Sequence, residues 1–305
     1  MKRYFCALAA LVSMLLVESV TLAPALKAQI PDYTVTHNSG QSVQPAFDGW
    51  EKQEDGTVVM WFGYLNRNWE EEVDVLLGPG NSIDPGGDQG QPTHFYPRRH
   101  RFVFKVPVPK GWDASKRMTW TLTSHGVKNT AGAFLEPTWE VNKGVIEENT
   151  GTGGVPAGDN QPPKVSGDKN QNVRFGQAAT LVVTASDDGI PKPGGRRGGG
   201  GGAGRGGPPL DPLEPHWVNQ GDERGQGAQG VWIRWIHYRG PGKVTFDPES
   251  TIPVYGVPVT MTTKATFSQP GTYVLRAIAS DSVLETPFDV TVTVTAAGST
   301  QDVHR

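Results

Sequence analysis

The chain has 305 residues, with 28 Lys and Arg against 31 Asp and Glu and a formal net charge of −3. That length sets a prior of about two domains of roughly 100–200 residues each. The near-neutral balance lacks both the basic face of a dedicated nucleic-acid binder and the acidic excess of a disordered tail protein, while 39 Gly and 25 Pro suit an all-β fold rich in turns.

The N-terminus reads as an export signal. Lys2 and Arg3 precede a mostly apolar run over 8–17, broken by Ser13 and ended by Glu18. Ala23-Pro24-Ala25 and Leu26-Lys27-Ala28 both offer small-residue cleavage sites. The run is too short to span a bilayer, so residues 1–28 are expected to be a signal peptide and the mature chain periplasmic or extracellular. Cys6, the single cysteine, lies ahead of the apolar run, whereas a lipidated cysteine would follow it. The mature chain is therefore expected to have no disulfide, thiolate metal site or cysteine nucleophile, and to depend on packed cores.

A first β-sandwich is expected over 43–143. Residues 58–65 are apolar on both faces, as in a central strand. Phe102, Phe104, Val106 and Val108 alternate with other residues, and Met118, Trp120 and Leu122 alternate with threonines. Gly, Pro, Asn and Asp clusters at 54–56, 78–81, 84–87 and 109–111 separate these runs. No window shows an amphipathic helical period. A Pro/Gly-rich linker is expected over 144–163.

A second sandwich is expected over 164–295. Its strands are marked by Leu181, Val183 and Ala185; by 231–236, apolar on both faces except at Arg234; by Tyr273, Leu275, Ala277 and Ala279; and by Phe288, Val290, Val292 and Val294. An insert over about 190–230 interrupts it: within 194–207, 10 of 14 residues are glycine and three are arginine. Such a segment buries too little apolar area to offset its ordering entropy and is expected to be a disordered loop. Residues 296–305 read as a frayed tail. The fold class is thus all-β, two tandem Ig-like β-sandwiches.

Three phrases carry a resemblance: Ala185-Ser186-Asp187-Asp188-Gly189-Ile190-Pro191, Gly240-Pro241-Gly242-Lys243-Val244-Thr245-Phe246, and the run from Ala265 to Arg276 that contains Pro270-Gly271-Thr272-Tyr273. With Ala279-Ser280-Asp281 and the closing alternation at 289–294, residues 164–295 resemble the polycystic-kidney-disease-type (PKD-like) Ig-like domains of bacterial surface and secreted proteins. The resemblance implies an interaction or structural module. It makes Trp235 the core tryptophan and Tyr273 a corner tyrosine whose hydroxyl bonds backbone. The insert, and Ser282-Val283 where the family commonly has glycine, depart from that pattern. Phrases at 62–72 and 91–95 resemble a recurring exported bacterial module with no function attached.

No Gly-x-Ser-x-Gly elbow, His-Glu-x-x-His, P-loop or dinucleotide fingerprint occurs, so no catalytic residues and no organic cofactor are expected. His94, His100 and His125 fall in one domain, but their spacing matches no metal motif and they read as ordinary polar histidines. Glu70, Glu71, Glu72 and Asp74 face a basic run, Arg98, Arg99 and Arg101, as weak cross-strand ion pairs if the strands meet. Asn81, Asp84 and Asp88, and separately Asp187, Asp188 and Asp281, offer calcium oxygen ligands, although such residues more often cap turns. Trp69 and Trp112 lie beside polar residues at strand ends. With Tyr96 and Arg98 they are the candidate ligand platform. The Gly/Arg insert reads as a spacer, or as a contact for an anionic envelope polymer rather than nucleic acid. The expected function is a non-catalytic interaction module at the cell envelope, with an envelope protein or polysaccharide as partner. The alternatives are a carbohydrate-binding accessory protein and, behind it, a hydrolase with dispersed carboxylates.

Overall fold

The computed structural model describes residues 37–149, 159–190, 192, 230–281 and 283–296, with the side chains of 147 and 148 left aside. Residues 1–36 with the expected signal peptide, residues 150–158 of the expected linker, nearly all of the Gly/Arg insert, Ser282 and residues 297–305 lie outside them. The described residues are mostly β, arranged as two Ig-like sandwiches, and all belong to one compact unit.

In the first sandwich β1 (Val43–Lys52), β2 (Val58–Asn66) and β6 (Arg98–Pro107) form an antiparallel sheet in the order β1-β2-β6. A second sheet has the order β4-β7-β8, from β4 (Asn81–Asp84), β7 (Met118–Ser124) and β8 (Val127–Ala133). The short strands β3 (Val73–Asp74) and β5 (His94–Phe95) pair separately. The alternation at 118–122 places Met118, Trp120 and Leu122 inward, against Met60, Phe62, Phe95 and Phe104. Trp120 meets Phe104 edge-on at 4.9 Å and Phe62 at 6.0 Å. Each fully buried side chain of this kind contributes roughly 1.5–3 kcal/mol relative to exposure. The indole N–H of Trp120 donates to Asn81 Oδ1 at 3.0 Å, and Asn81 Nδ2 donates to Val75 O and Pro92 O. Asn81 therefore serves as a buried structural pin, which corrects its reading as a cation ligand.

The alternation expected along 102–108 breaks at Phe102, where φ is 50°. The cause lies two strands away. Asp48 sits in a bulge of β1 and reaches over Gly63 of β2, where its carboxylate accepts the Phe102 N–H at 2.8 Å and pairs with Arg99. A Cβ on Gly63 would lie 2.3 Å from Asp48 Oδ2 and from His100 O, so only glycine admits the bridge. Burial pushes the Asp48 carboxyl up, and the Arg99 charge opposes this only in part.

The segment after β8 holds a 3-10 turn, Pro137–Trp139, and then a short helix α1 (Lys143–Asn149). Asn142 Oδ1 caps it by accepting the Val145 N–H at 3.0 Å. This corrects the expectation of linker from residue 144: seven residues are too few to show a helical period.

The second sandwich pairs β10 (Asn170–Arg174), β16 (Glu285–Thr295), β15 (Gly271–Ser280) and β12 (Trp232–Arg239) in the order β10-β16-β15-β12. The facing sheet has the order β13-β14-β11-β9, from β13 (Val244–Asp247), β14 (Val259–Phe267), β11 (Ala179–Ser186) and β9 (Lys164–Gly167). β9 and β10 belong to different sheets, and β10 alone among these pairings runs parallel to its neighbour, β16. Leu181, Val183, Ile233, Trp235, Leu275, Val290 and Val292 fill the core. Trp235 is fully buried and stacks on Phe246 at 6.2 Å. The Tyr273 hydroxyl donates to Gln269 O at 2.7 Å.

Candidate functional site

The two sandwiches meet through the end of β12 and the loop before β5. Thr93 N–H donates to Tyr238 O at 3.1 Å, and the Thr93 hydroxyl accepts the Gly240 N–H at 3.0 Å. The Tyr238 hydroxyl donates to Gly90 O at 2.7 Å. Arg239 donates through Nε to Gln91 O at 2.6 Å and pairs with Asp88 at 2.7 Å. Tyr96 Oη accepts the His237 backbone N–H at 2.8 Å. Gly240 is needed here, because a Cβ would fall 2.1 Å from the Tyr273 ring.

Beside this junction lies a cleft of about 600 Å³. One wall is the outer face of the β12-β15-β16 sheet, presenting Arg234, Ile236, Arg276 and Ile278; the other comes from β2 and β6, presenting Trp61, Phe102 and Lys105. Strict alternation explains this wall: Tyr273, Leu275 and Ala277 point into the core, so Val274, Arg276 and Ile278 point out. The β6 bulge explains the other wall, since it lifts Phe102 edge-on to Trp61 at 5.9 Å. Ile146 and Asn149 of α1 close one side.

Charge in the cleft is mainly positive. Arg101, Lys105, Arg234, Arg239 and Arg276 line it, against Glu285 and Asp289. Both carboxylates are engaged: Arg276 holds Asp289 through Nε and Nη2 at 2.7 and 2.9 Å, and Arg234 lies 3.4 Å from Glu285. Arg276 also donates to Val103 O across the junction and lies 3.7 Å over the Tyr238 ring. Arg101 and Lys105 donate to the amide oxygens of Asn149 and Gln53. The Lys105 ammonium lies 5.3 Å from the centre of the Trp61 ring. Arg234 Nε is buried and has no hydrogen-bond partner among the described residues.

At the edge of the cleft His94 and His237 stack at 4.6 Å. His94 Nδ1 lies 2.8 Å from Asp74 Oδ1 and its Nε2 3.2 Å from Glu72 Oε2. Burial opposes a charged His94, yet the hydrogen bonds to Asp74 and Glu72 outweigh it and raise its pKa. His237 goes the other way, pushed down to about 4 by burial and then by the neighbouring His94 charge.

The sequence candidates separate in space. Trp69 and Arg98 come together, the guanidinium 4.2 Å from the indole centre and Trp69 39% exposed. Tyr96 is buried and lines the cleft. Trp112 packs against the first core with its Nε1 buried and without a partner among the described residues. It follows the end of β6 opposite Arg98. The four do not form one platform. Arg99 pairs with Asp48, Glu71 with His125 and Glu72 with His94, so the acidic and basic runs do not bridge each other as expected. His94, His100 and His125, read as ordinary polar histidines, do not converge: His94 meets His237, His100 stacks on Tyr64 and His125 lies 3.1 Å from Glu71.

Of the calcium candidates, Asp84 and Asp88 are engaged elsewhere or exposed, whereas Asp187, Asp188 and Asp281 lie near one another. Asp84 is exposed on β4, and Asp88 is held by Arg239 and accepts the Gly90 N–H. Asp281 is buried and accepts N–H groups from Val283, Leu284 and Asn160 Nδ2. Asp188 accepts the Gln161 and Ile190 N–H groups. Burial raises the Asp187 and Asp281 carboxyls, and each of the two lies near a second negative charge, Asp188 and Asp187 respectively. Asp187 Oδ1 and Asn160 Oδ1 are buried with no partner among the described residues.

No protein-family model matches the chain, and no curated protein sequence does. Solved structures similar to it include a protein of unknown function from Porphyromonas gingivalis W83, at 11% identity and TM-score 0.23, covering 83% of this chain and 99% of that one. Domains 4 and 5 of the S-layer protein SbsC match at 10% identity and TM-score 0.23, over 84% and 98% of the two chains. The D00-D0 domain of intimin matches at 10% identity and TM-score 0.23, over 83% and 100%. These are distant likenesses; the sandwich assignment rests on the strand pairings above. Among the described residues no helix is long and apolar enough to cross a membrane.

Proposed function

We propose that this chain is an exported, non-catalytic binding protein whose ligand seat is the cleft between its sandwiches, and that the ligand is a segment of an acidic polysaccharide. The observation that carries this reading is the lining of the cleft: aromatic rings at Trp61 and Phe102 beside five basic side chains, with two carboxylates already held by arginines. An aromatic face suits the apolar face of a sugar ring, and guanidinium groups suit carboxylates. The engagement of Glu285 and Asp289 favours binding over hydrolysis, which needs one carboxyl poised as an acid. The PKD-like phrases and the signal-like N-terminus support an extracellular setting. Titration of the chain from Gln29 onward with uronic-acid oligosaccharides and with neutral ones of equal length tests it. Binding of the acidic set, weakened by salt and by Arg101→Glu or Lys105→Glu, supports the reading; equal binding of both sets, or none, refutes it.

A second reading concerns calcium at the other end of the second sandwich. The buried oxygens of Asp187 and Asn160, without a partner among the described residues and near Asp281, suit an oxygen-seeking cation that would order the entry to this domain.

A further inference from the structure

Asp74, His94 and His237 each offer one ligand atom, and these atoms all lie within 4.8 Å of one another. The first two come from the first sandwich and the third from the second. We propose that this cluster is a site for a divalent first-row transition metal, zinc foremost, that staples the two sandwiches across their junction. The proposal goes beyond the polysaccharide reading and does not depend on it.

Three observations support it. His237 is 3% exposed, and both its ring nitrogens are buried without a hydrogen-bond partner among the described residues. A buried imidazole left so costs free energy that a metal bond recovers. Next, His94 Nε2 lies 3.2 Å from Glu72 Oε2 and its Nδ1 2.8 Å from Asp74 Oδ1. Nδ1 and Oδ1 this close share either a proton or a metal ion. A proton satisfies His94 and Asp74 but leaves the stacked His237 unpartnered; a metal ion engages all three. Finally, the donor chemistry selects the ion. Two imidazoles and a carboxylate suit zinc, copper or nickel, not calcium or magnesium. A four-coordinate zinc ion with bonds of about 2.0–2.1 Å sets its ligands roughly 3.3 Å apart, which small side-chain shifts reach here. Glu72 then has the role of the outer carboxylate that orients a metal-bound histidine.

The test uses the full mature chain, stripped with chelator and titrated with zinc alone, then with cobalt as a spectroscopic probe. One zinc per chain is expected, with the visible absorption of tetrahedral cobalt and a rise in Tm on loading. Asp74→Asn and His237→Gln should each abolish the cobalt spectrum and the Tm rise. Glu72→Gln should weaken binding by about 10–100-fold. Asp74 is exposed on a short strand, so Asp74→Asn keeps the test valid if His237→Gln fails to fold. Absence of stoichiometric uptake overturns the proposal. So does uptake unchanged in Asp74→Asn, which would place the ion elsewhere.

Discussion

Replacing Tyr96 by phenylalanine removes one oxygen from the junction and leaves the ring in place. In the structure that oxygen accepts the backbone N–H of His237 at 2.8 Å, at a residue only 3% exposed. The variant leaves a buried donor without its side-chain partner. Such a group costs about 1–3 kcal/mol, more than the net worth of an ordinary hydrogen bond, because its desolvation is no longer compensated. A midpoint of ~2 kcal/mol, at about 2–4 °C per kcal/mol for a body of this size, lowers Tm by roughly 4–8 °C. Urea denaturation of the full mature chain followed by tryptophan fluorescence measures the loss. A Tyr96→Phe midpoint indistinguishable from wild type would show that the hydroxyl does not clasp the sandwiches.

Four further outcomes follow from the same contacts. Gly63→Ala places a Cβ 2.3 Å from Asp48 Oδ2 and His100 O, so urea denaturation should show a loss of about 3 kcal/mol, at the upper end for overpacking. His100 is held to about 4 by burial while the unfolded chain titrates near 6.5, so the folded state binds fewer protons between those values. Its contribution is complete above pH 6.5 and is lost as pH falls toward 4, by up to about 3 kcal/mol; stability curves of His100→Gln and wild type should diverge only in that window. Trp69→Ala removes an exposed arginine stack, which should cost about 0.5–1 kcal/mol and leave uronate affinity within about twofold, since this residue lies outside the cleft. Calcium at about 1 mM, the range of extracellular modules, should raise Tm in the wild type and not in Asp187→Ala.

Where burial of one face decides structure, the sequence was legible. Met118, Trp120 and Leu122, or Val290, Val292 and Val294, alternate because one side of each strand meets a core, and they are buried as the period requires. The cleft was only half legible. Residues 231–236 and the pair Val274 and Ile278 carry apolar side chains on the face away from the core, the mark of a sheet covered on both sides. That pattern signals a second body against the sheet but does not name it. The junction itself left no local trace: Tyr96 and His237 are 141 residues apart, and nothing around either encodes the pairing. The bulge at Phe102 was hidden for the same reason, since Asp48 imposes it from another strand. His237 carries no signal of its own, because a lone histidine within an apolar strand looks ordinary until its neighbour from the other sandwich is in view.

The central claim is that the cleft between the sandwiches binds an acidic sugar chain. Trp61 lies in that cleft, so its fluorescence reports occupancy directly. The most direct measurement is a fluorescence titration of the mature chain with a uronic-acid oligosaccharide, run beside the Arg101→Glu/Lys105→Glu variant. The account predicts saturable binding in the wild type, weakened at least tenfold by the double reversal with folding unchanged. Saturable binding of equal strength in both proteins, or no response in either, would contradict it.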